Sequence, residues 1–149
     1  MADSVDVTSL LSRDAVRLGL PSTDRADVVR QAGQVLVDIG AVEPAYADAM
    51  HEREEMVSSY VGEGFATPHG TNDARSLVTR AAFAFLQYPD GVDWDGQVAK
   101  VAIAIAAAED EHMVVMSRLA QLLLDPDAAE RLRTTADPDE VLALLAPDA

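Results

Sequence analysis

The segment Gly62-Glu63-Gly64-Phe65-Ala66-Thr67-Pro68-His69-Gly70-Thr71 gathers the residue types best able to do chemistry. A histidine between proline and glycine at a strand end has its backbone held on one side and left sterically open on the other. Glycine lets a partner come close, and successive amide N–H groups in such a turn can face an anion. The imidazole of His69 is then a nucleophile at neutral pH, provided its other nitrogen donates a hydrogen bond that fixes the tautomer. Taken alone, Pro-His-Gly also suits a histidine that merely shapes a turn, and both readings stay open at this point. The glycines fit neither a dinucleotide loop nor a Walker loop, because Gly-x-Gly-x-x-Gly and Gly-Lys-Ser/Thr are both missing.

Two further side chains could join His69. His112 follows Glu109-Asp110-Glu111 and opens a predicted helix. That puts an imidazole at a strand-to-helix junction, where amides can face an anion and where sites form in open α/β sheets. Arg53 could neutralise a phosphoryl group with directed hydrogen bonds, or it could be a surface residue salt-bridged beside Glu54 and Glu55. His51, in the same charged run, is expected to be exposed to solvent, with no role.

Composition narrows the chemistry. No cysteine occurs among the 149 residues, which excludes disulfides, thiolate metal sites and cysteine nucleophiles and suits a reducing cytosol. A formal net charge of −15 opposes nucleic-acid binding, since phosphate backbones repel such a surface. It suits a partner with a basic face, and it equally suits acidity kept for solubility alone. There is no leading basic segment with an apolar run, so no secretory signal is expected. No stretch approaches the roughly 20 apolar residues that cross a bilayer. The apolar fraction of 49% fits a folded chain of one domain, 1–149, with a continuous core.

The elements that must position these residues follow from periodicity. Val28, Ala32, Val35, Leu36 and Ile39 form an apolar stripe that predicts a helix over Asp24 to Ile39, with Ser22 or Thr23 as cap and Gly40 at its end. A second helix is predicted from Glu43-Pro44 to about Glu55. From Ser58 the glycines and Pro68 predict a short strand entering a sharp turn. Leu77 to Leu86 reads as a strand, Tyr88-Pro89-Asp90-Gly91 as a turn, and Val101 to Ala106 as a strand with one bulky and one small face. Met113, Met116, Leu119 and Leu123 make a helical stripe that Asp125-Pro126 interrupts, and Asp137-Pro138-Asp139-Glu140 starts another helix. The fold class expected is α/β, one domain.

Four stretches together resemble the mannitol/fructose class of phosphotransferase-system enzyme IIA, the mannitol type most of all. They are Arg53-Glu54-Glu55 with Tyr60-Val61-Gly62-Glu63-Gly64; Ala66-Thr67-Pro68-His69-Gly70-Thr71-Asn72; Tyr88-Pro89-Asp90-Gly91-Val92-Asp93-Trp94 running on to Ala106-Ala107; and Glu109-Asp110-Glu111-His112-Met113. Each alone is unspecific, but in this order they cover roughly Leu10 to Leu145. The resemblance implies a mixed β-sheet flanked by helices. It further implies His69 as phosphoryl acceptor through Nε2, His112 as a second histidine on the phosphoryl oxygens and Arg53 as the active-site arginine. Glu63 falls where members often carry a polar or acidic residue, and Thr67 stands where many carry isoleucine or valine. The implied donor is the histidine phosphocarrier protein HPr and the implied acceptor the cysteine of a IIB domain. No cofactor, no metal and no membrane insertion are implied, and the location is the cytoplasm.

Two rival readings remain. One is a regulatory module like the nitrogen-type IIA proteins, whose phosphorylation state is read by a target protein. The other is a metal site built on His69 and His112, for which the sequence offers no closed set of three or four ligands.

Overall fold

Val101, Ile103 and Ile105 alternate with Ala102, Ala104 and Ala106 in a strand, β5 (Gln97–Ala106), that is buried on both faces from Val101 onward. β-Branched residues favour extended backbone, and the alanine face lets a neighbouring layer approach closely. The computed structural model, which describes residues 11, 13–107, 117 and 119–145, places β5 at the centre of a five-stranded sheet. The other strands are β1 (Val16–Arg17), β2 (Tyr60–Gly62), β3 (Phe65–Ala66) and β4 (Ala82–Trp94), in the order β1-β4-β5-β3-β2. β4 and β5 pair antiparallel from Ala82↔Ala106 to Trp94↔Gln97, whereas β3 runs parallel to β5 and β1 parallel to β4. The sheet is therefore mixed, as the resemblance implies.

The strand predicted over Leu77 to Leu86 starts later and runs further. Asn72–Leu77 is a 3-10 helix, and β4 continues through Tyr88-Pro89-Asp90-Gly91, where the composition predicts a turn. Those residues form a bulge instead, because the register slips between Gln87 and Val92 while Pro89 and Asp90 point to solvent. Proline lacks the N–H that a ladder needs, so it is tolerated where the ladder is broken. The reversal comes at Asp95-Gly96, with φ of 60° and 91°, the backbone a two-residue hairpin loop requires.

Helix α1 (Arg25–Asp38) buries Val28, Ala32, Val35 and Leu36 of the predicted stripe and Val29 besides, while Ile39, the last member of that stripe, caps the helix and is partly buried. Its cap is Asp24, whose carboxylate accepts the Asp27 N–H at 2.8 Å, rather than Ser22 or Thr23. Helix α2 (Ala45–Met56) packs tightly on α1, since a Cβ added at Gly33 would meet the Ala47 Cβ at 2.9 Å. Residues 119–123 are helical with Leu119 buried; Met113 and Met116 of the same predicted stripe lie outside the described residues. Asp125 caps α3 (Pro126–Thr134), so Asp125-Pro126 both ends one helix and starts the next, and α4 (Pro138–Leu145) follows.

Candidate functional site

β3 is short, yet its ladder resumes. Phe65 and Ala66 pair with Val101 and Ala102, the pairing lapses over Thr67 and Pro68, and His69 then pairs with Ile105 in the same parallel register. Ile105 N–H donates to the Pro68 carbonyl at 2.9 Å, closing that pair. His69 thus stands at the carboxyl end of two adjacent parallel strands, where open α/β sheets form their sites. Pro68 and Gly70 are buried and His69 is partly exposed. Its Nδ1 lies 3.0 Å from the Gly70 carbonyl oxygen. A carbonyl can only accept, so Nδ1 carries the proton and Nε2 keeps its lone pair. The backbone therefore supplies the tautomer-fixing bond on which the nucleophile reading depends.

Gly70 serves a purpose other than the one its sequence context suggests. It does not clear a path for a partner, because the Tyr46 ring covers it: a Cβ here would sit 2.7 Å from Tyr46 Cε1. The Gly70 N–H donates to the Tyr46 hydroxyl at 2.9 Å, and that hydroxyl donates to the Ile105 carbonyl at 3.0 Å.

The chain entering the site is held by a second set of bonds. Thr67 N–H donates to the Ser59 carbonyl at 2.9 Å. Ser59 in turn donates to Glu54 from its N–H at 3.0 Å and its hydroxyl at 2.6 Å, and the Trp94 indole N–H donates to the same carboxylate at 3.0 Å. Glu54 is only 5% exposed, a buried carboxylate fully furnished with donors. Sequence reasoning passes over Glu54, Ser59 and Tyr46. A signal was present for two of them, because Tyr46, Met50 and Glu54 recur every four residues on one face of α2, and a carboxylate in such a stripe must find donors inside.

Arg53 does not form the surface salt bridge that its neighbours suggest. Among the described residues it makes no ion pair, and its Nη1 donates to the Val57 carbonyl at 2.9 Å, just past the end of α2. The guanidinium thereby borders the Val57–Ser59 segment that anchors Thr67. Glu63 occupies the tip of the β2–β3 hairpin with φ 55°, between Gly62 and Gly64, which also have positive φ. The Arg133 guanidinium donates to the Glu63 carbonyl at 2.6 Å and lies 5.7 Å from the Phe65 ring centre, pinning this turn. The Glu63 side chain is exposed, and with Thr67, Val61, Leu119, Leu123 and Leu124 it lines a groove of about 380 Å³. His51 is partly buried on α2 rather than exposed. His112 lies outside the described residues. Among the described residues no group of three or more His, Cys, Asp or Glu could hold a metal, and no helix is long and apolar enough to cross a membrane.

Fold and site define a class of protein: a mixed α/β domain that presents a tautomer-fixed histidine at the end of a parallel strand pair. Residues 9–147 match the family described as "Phosphoenolpyruvate-dependent sugar phosphotransferase system, EIIA 2", and the chain belongs to that family. It is 43% identical over 139 residues to the mannitol-specific EIICBA component of Vibrio cholerae, covering 91% of this chain and 21% of that protein. The chain thus spans about a fifth of the length of that relative. It is 36% identical over 135 residues to the mannitol-specific phosphotransferase enzyme IIA component of Staphylococcus aureus, covering 91% and 94% of the two chains. Among solved structures, the crystal structure of IIA mannitol from Escherichia coli superposes with a TM-score of 0.84 at 40% identity, over 91% of this chain and 98% of the other. A complex of IIA mannitol with phosphorylated IIB mannitol from Escherichia coli gives 0.84 at 38% identity over the same shares.

Proposed function

We propose that this chain is the phosphoryl carrier of a bacterial sugar phosphotransferase system of the mannitol type, working in the cytoplasm. It takes a phosphoryl group from phospho-HPr on His69 Nε2 and passes it to the cysteine of a IIB domain. The observation that carries this reading is the bond from Nδ1 to the Gly70 carbonyl, which puts the proton on Nδ1 and the nucleophilic lone pair on Nε2. The P–N bond of the donor breaks as the bond to Nε2 forms, and the donor nitrogen recovers its electron pair. The ring gains positive character as it accepts the group, so its Nδ1–H bond to Gly70 strengthens along the reaction. Such transfer needs in-line positioning and charge stabilisation more than covalent machinery. In this reading Arg53 stabilises the phosphoryl oxygens and His112 donates to them, while Glu63, at the exposed hairpin tip, has a minor part.

Identity of 36% and 43% to proteins named mannitol-specific supports the mannitol type. The regulatory reading is not favoured, since the nitrogen regulatory protein IIA-Ntr of Neisseria meningitidis is 24% identical and shares the fold, with a TM-score of 0.81. Incubation with HPr and a phosphoenolpyruvate-driven donor should add one acid-labile, base-stable phosphate. His69→Ala should abolish the label and His51→Ala should keep it. Label surviving in the first variant would remove His69 from its role, and failure to pass the phosphate to any mannitol-type IIB cysteine would return the regulatory reading.

A further inference from the structure

In a regular parallel ladder the Ile105 carbonyl would take the Gly70 N–H directly, as the partner of the bond from Ile105 N–H to the Pro68 carbonyl. Here the Tyr46 hydroxyl stands between the two groups, accepting from Gly70 and donating to Ile105. Both hydroxyl bonds are buried, and the ring lies flat on Gly70, with Cε1, Cζ and Cδ1 at 2.7, 2.9 and 3.2 Å from where a Cβ would be. Gly70 is thus held through its N–H and across its open face by one side chain, while its carbonyl receives His69 Nδ1 at 3.0 Å. A glycine free to change φ and ψ would swing that carbonyl away and let the imidazole exchange tautomers.

We infer that Tyr46 is a positioning residue for phosphoryl transfer: by occupying the last rung of the β3–β5 ladder, it holds the Gly70 carbonyl on His69 Nδ1 and so selects Nε2 as the accepting nitrogen. The inference rests on His69 being the acceptor and adds what makes it so. α2 carries both Tyr46 and Arg53, two turns apart on one face, so one helix bears the tyrosine that holds Gly70 and the arginine that the proposed function assigns to the phosphoryl oxygens.

The test is made on the full chain. In wild type with the imidazole neutral, ¹⁵N NMR should find the His69 proton on Nδ1 and none on Nε2. Tyr46→Phe keeps the ring over Gly70 and removes only the hydroxyl. It should convert His69 to a mixture of tautomers and slow single-turnover acceptance from phospho-HPr by about 10-fold, with KM for phospho-HPr unchanged. A purely structural role would lower the unfolding midpoint and leave the nitrogen assignment alone. A wild-type proton on Nε2, or a Tyr46→Phe variant with wild-type tautomer and rate, overturns the inference. The first of these is read without any variant, so the test does not depend on Tyr46→Phe folding. Label persisting in His69→Ala would instead overturn the acceptor assignment itself, which keeps the two failures apart.

Discussion

Replacing Arg53 by lysine keeps a positive charge and removes a planar fork of donors. An ammonium has a single nitrogen, so it cannot hold the Val57 carbonyl from one nitrogen, as Nη1 does at 2.9 Å, and offer a second coplanar nitrogen to phosphoryl oxygens, the role proposed for Arg53. Arg53→Lys should therefore slow transfer from phospho-HPr by about 10-fold, some 1.4 kcal/mol of transition-state stabilisation. Rapid-quench kinetics decides this, and an unchanged rate would reduce Arg53 to a helix-terminal bond. Gly70 is tested differently, because its need is for space and not for a left-handed backbone. A methyl group driven to 2.7 Å from the Tyr46 ring must push that ring or its own strand aside. Gly70→Ala should lower stability by about 1–3 kcal/mol in urea unfolding, the usual range for overpacking. A midpoint equal to wild type would mean that the ring yields easily and that Gly70 is not held by it.

Helix α2 and the β2–β3 hairpin act on the site as whole elements. The C-terminal turn of α2 is fastened by Glu54, whose carboxylate takes three donors from Ser59 and Trp94 and so joins the helix to the start of β2 and the end of β4. Glu54→Gln preserves shape but turns one acceptor into a donor that faces other donors. The expected loss is about 1–3 kcal/mol, the cost of leaving a buried polar group unpaired. Amide exchange should show faster opening of residues 57–59 and of Thr67 in that variant, while the β4–β5 pairs keep their protection. Uniform protection across the chain would show that Glu54 does not fasten the entry to the site. The hairpin is steadied by Arg133 of α3, whose guanidinium donates to the Glu63 carbonyl, so the tip carrying Glu63 has a fastened backbone even though its side chain is exposed.

Across the whole molecule, charge is the feature that reaches beyond the site. Twenty-six acidic against eleven basic residues would, if the donor's docking face is basic, draw that face from a distance. Salt shortens that reach, from a Debye length of about 30 Å at 0.01 M to about 8 Å at 0.15 M. The second-order rate of phosphate uptake from phospho-HPr should fall by about 10-fold over this range, with the first-order step after docking unchanged. A salt series in rapid-quench mode separates the two, and a flat second-order rate would assign the acidity to solubility alone.

What the sequence determined by itself is what short-range periodicity and local stereochemistry can encode. The stripe of α1, its end at Gly40, the alternation of β5 and the caps before Pro126 and Pro138 depend on residues within a few positions of one another. The Pro-His-Gly segment and Arg53 stand out for the same reason, as residue types in a local pattern. The bulge in β4 was not legible, because a Tyr-Pro-Asp-Gly run reads as a turn until the partner strand shows that pairing resumes beyond it. The helical spacing of Tyr46, Met50 and Glu54 hints that Glu54 turns inward, but its donors were not legible, one of them being a tryptophan 40 residues away. The role of Tyr46 was hidden more deeply still, since its hydroxyl bonds join residues 24 and 59 positions apart. Hydrogen bonds of that separation exist only once the sheet has brought strand ends together. Tertiary structure alone therefore decided how the Gly70 carbonyl is held against His69 Nδ1, while the sequence had already singled out the histidine as a candidate.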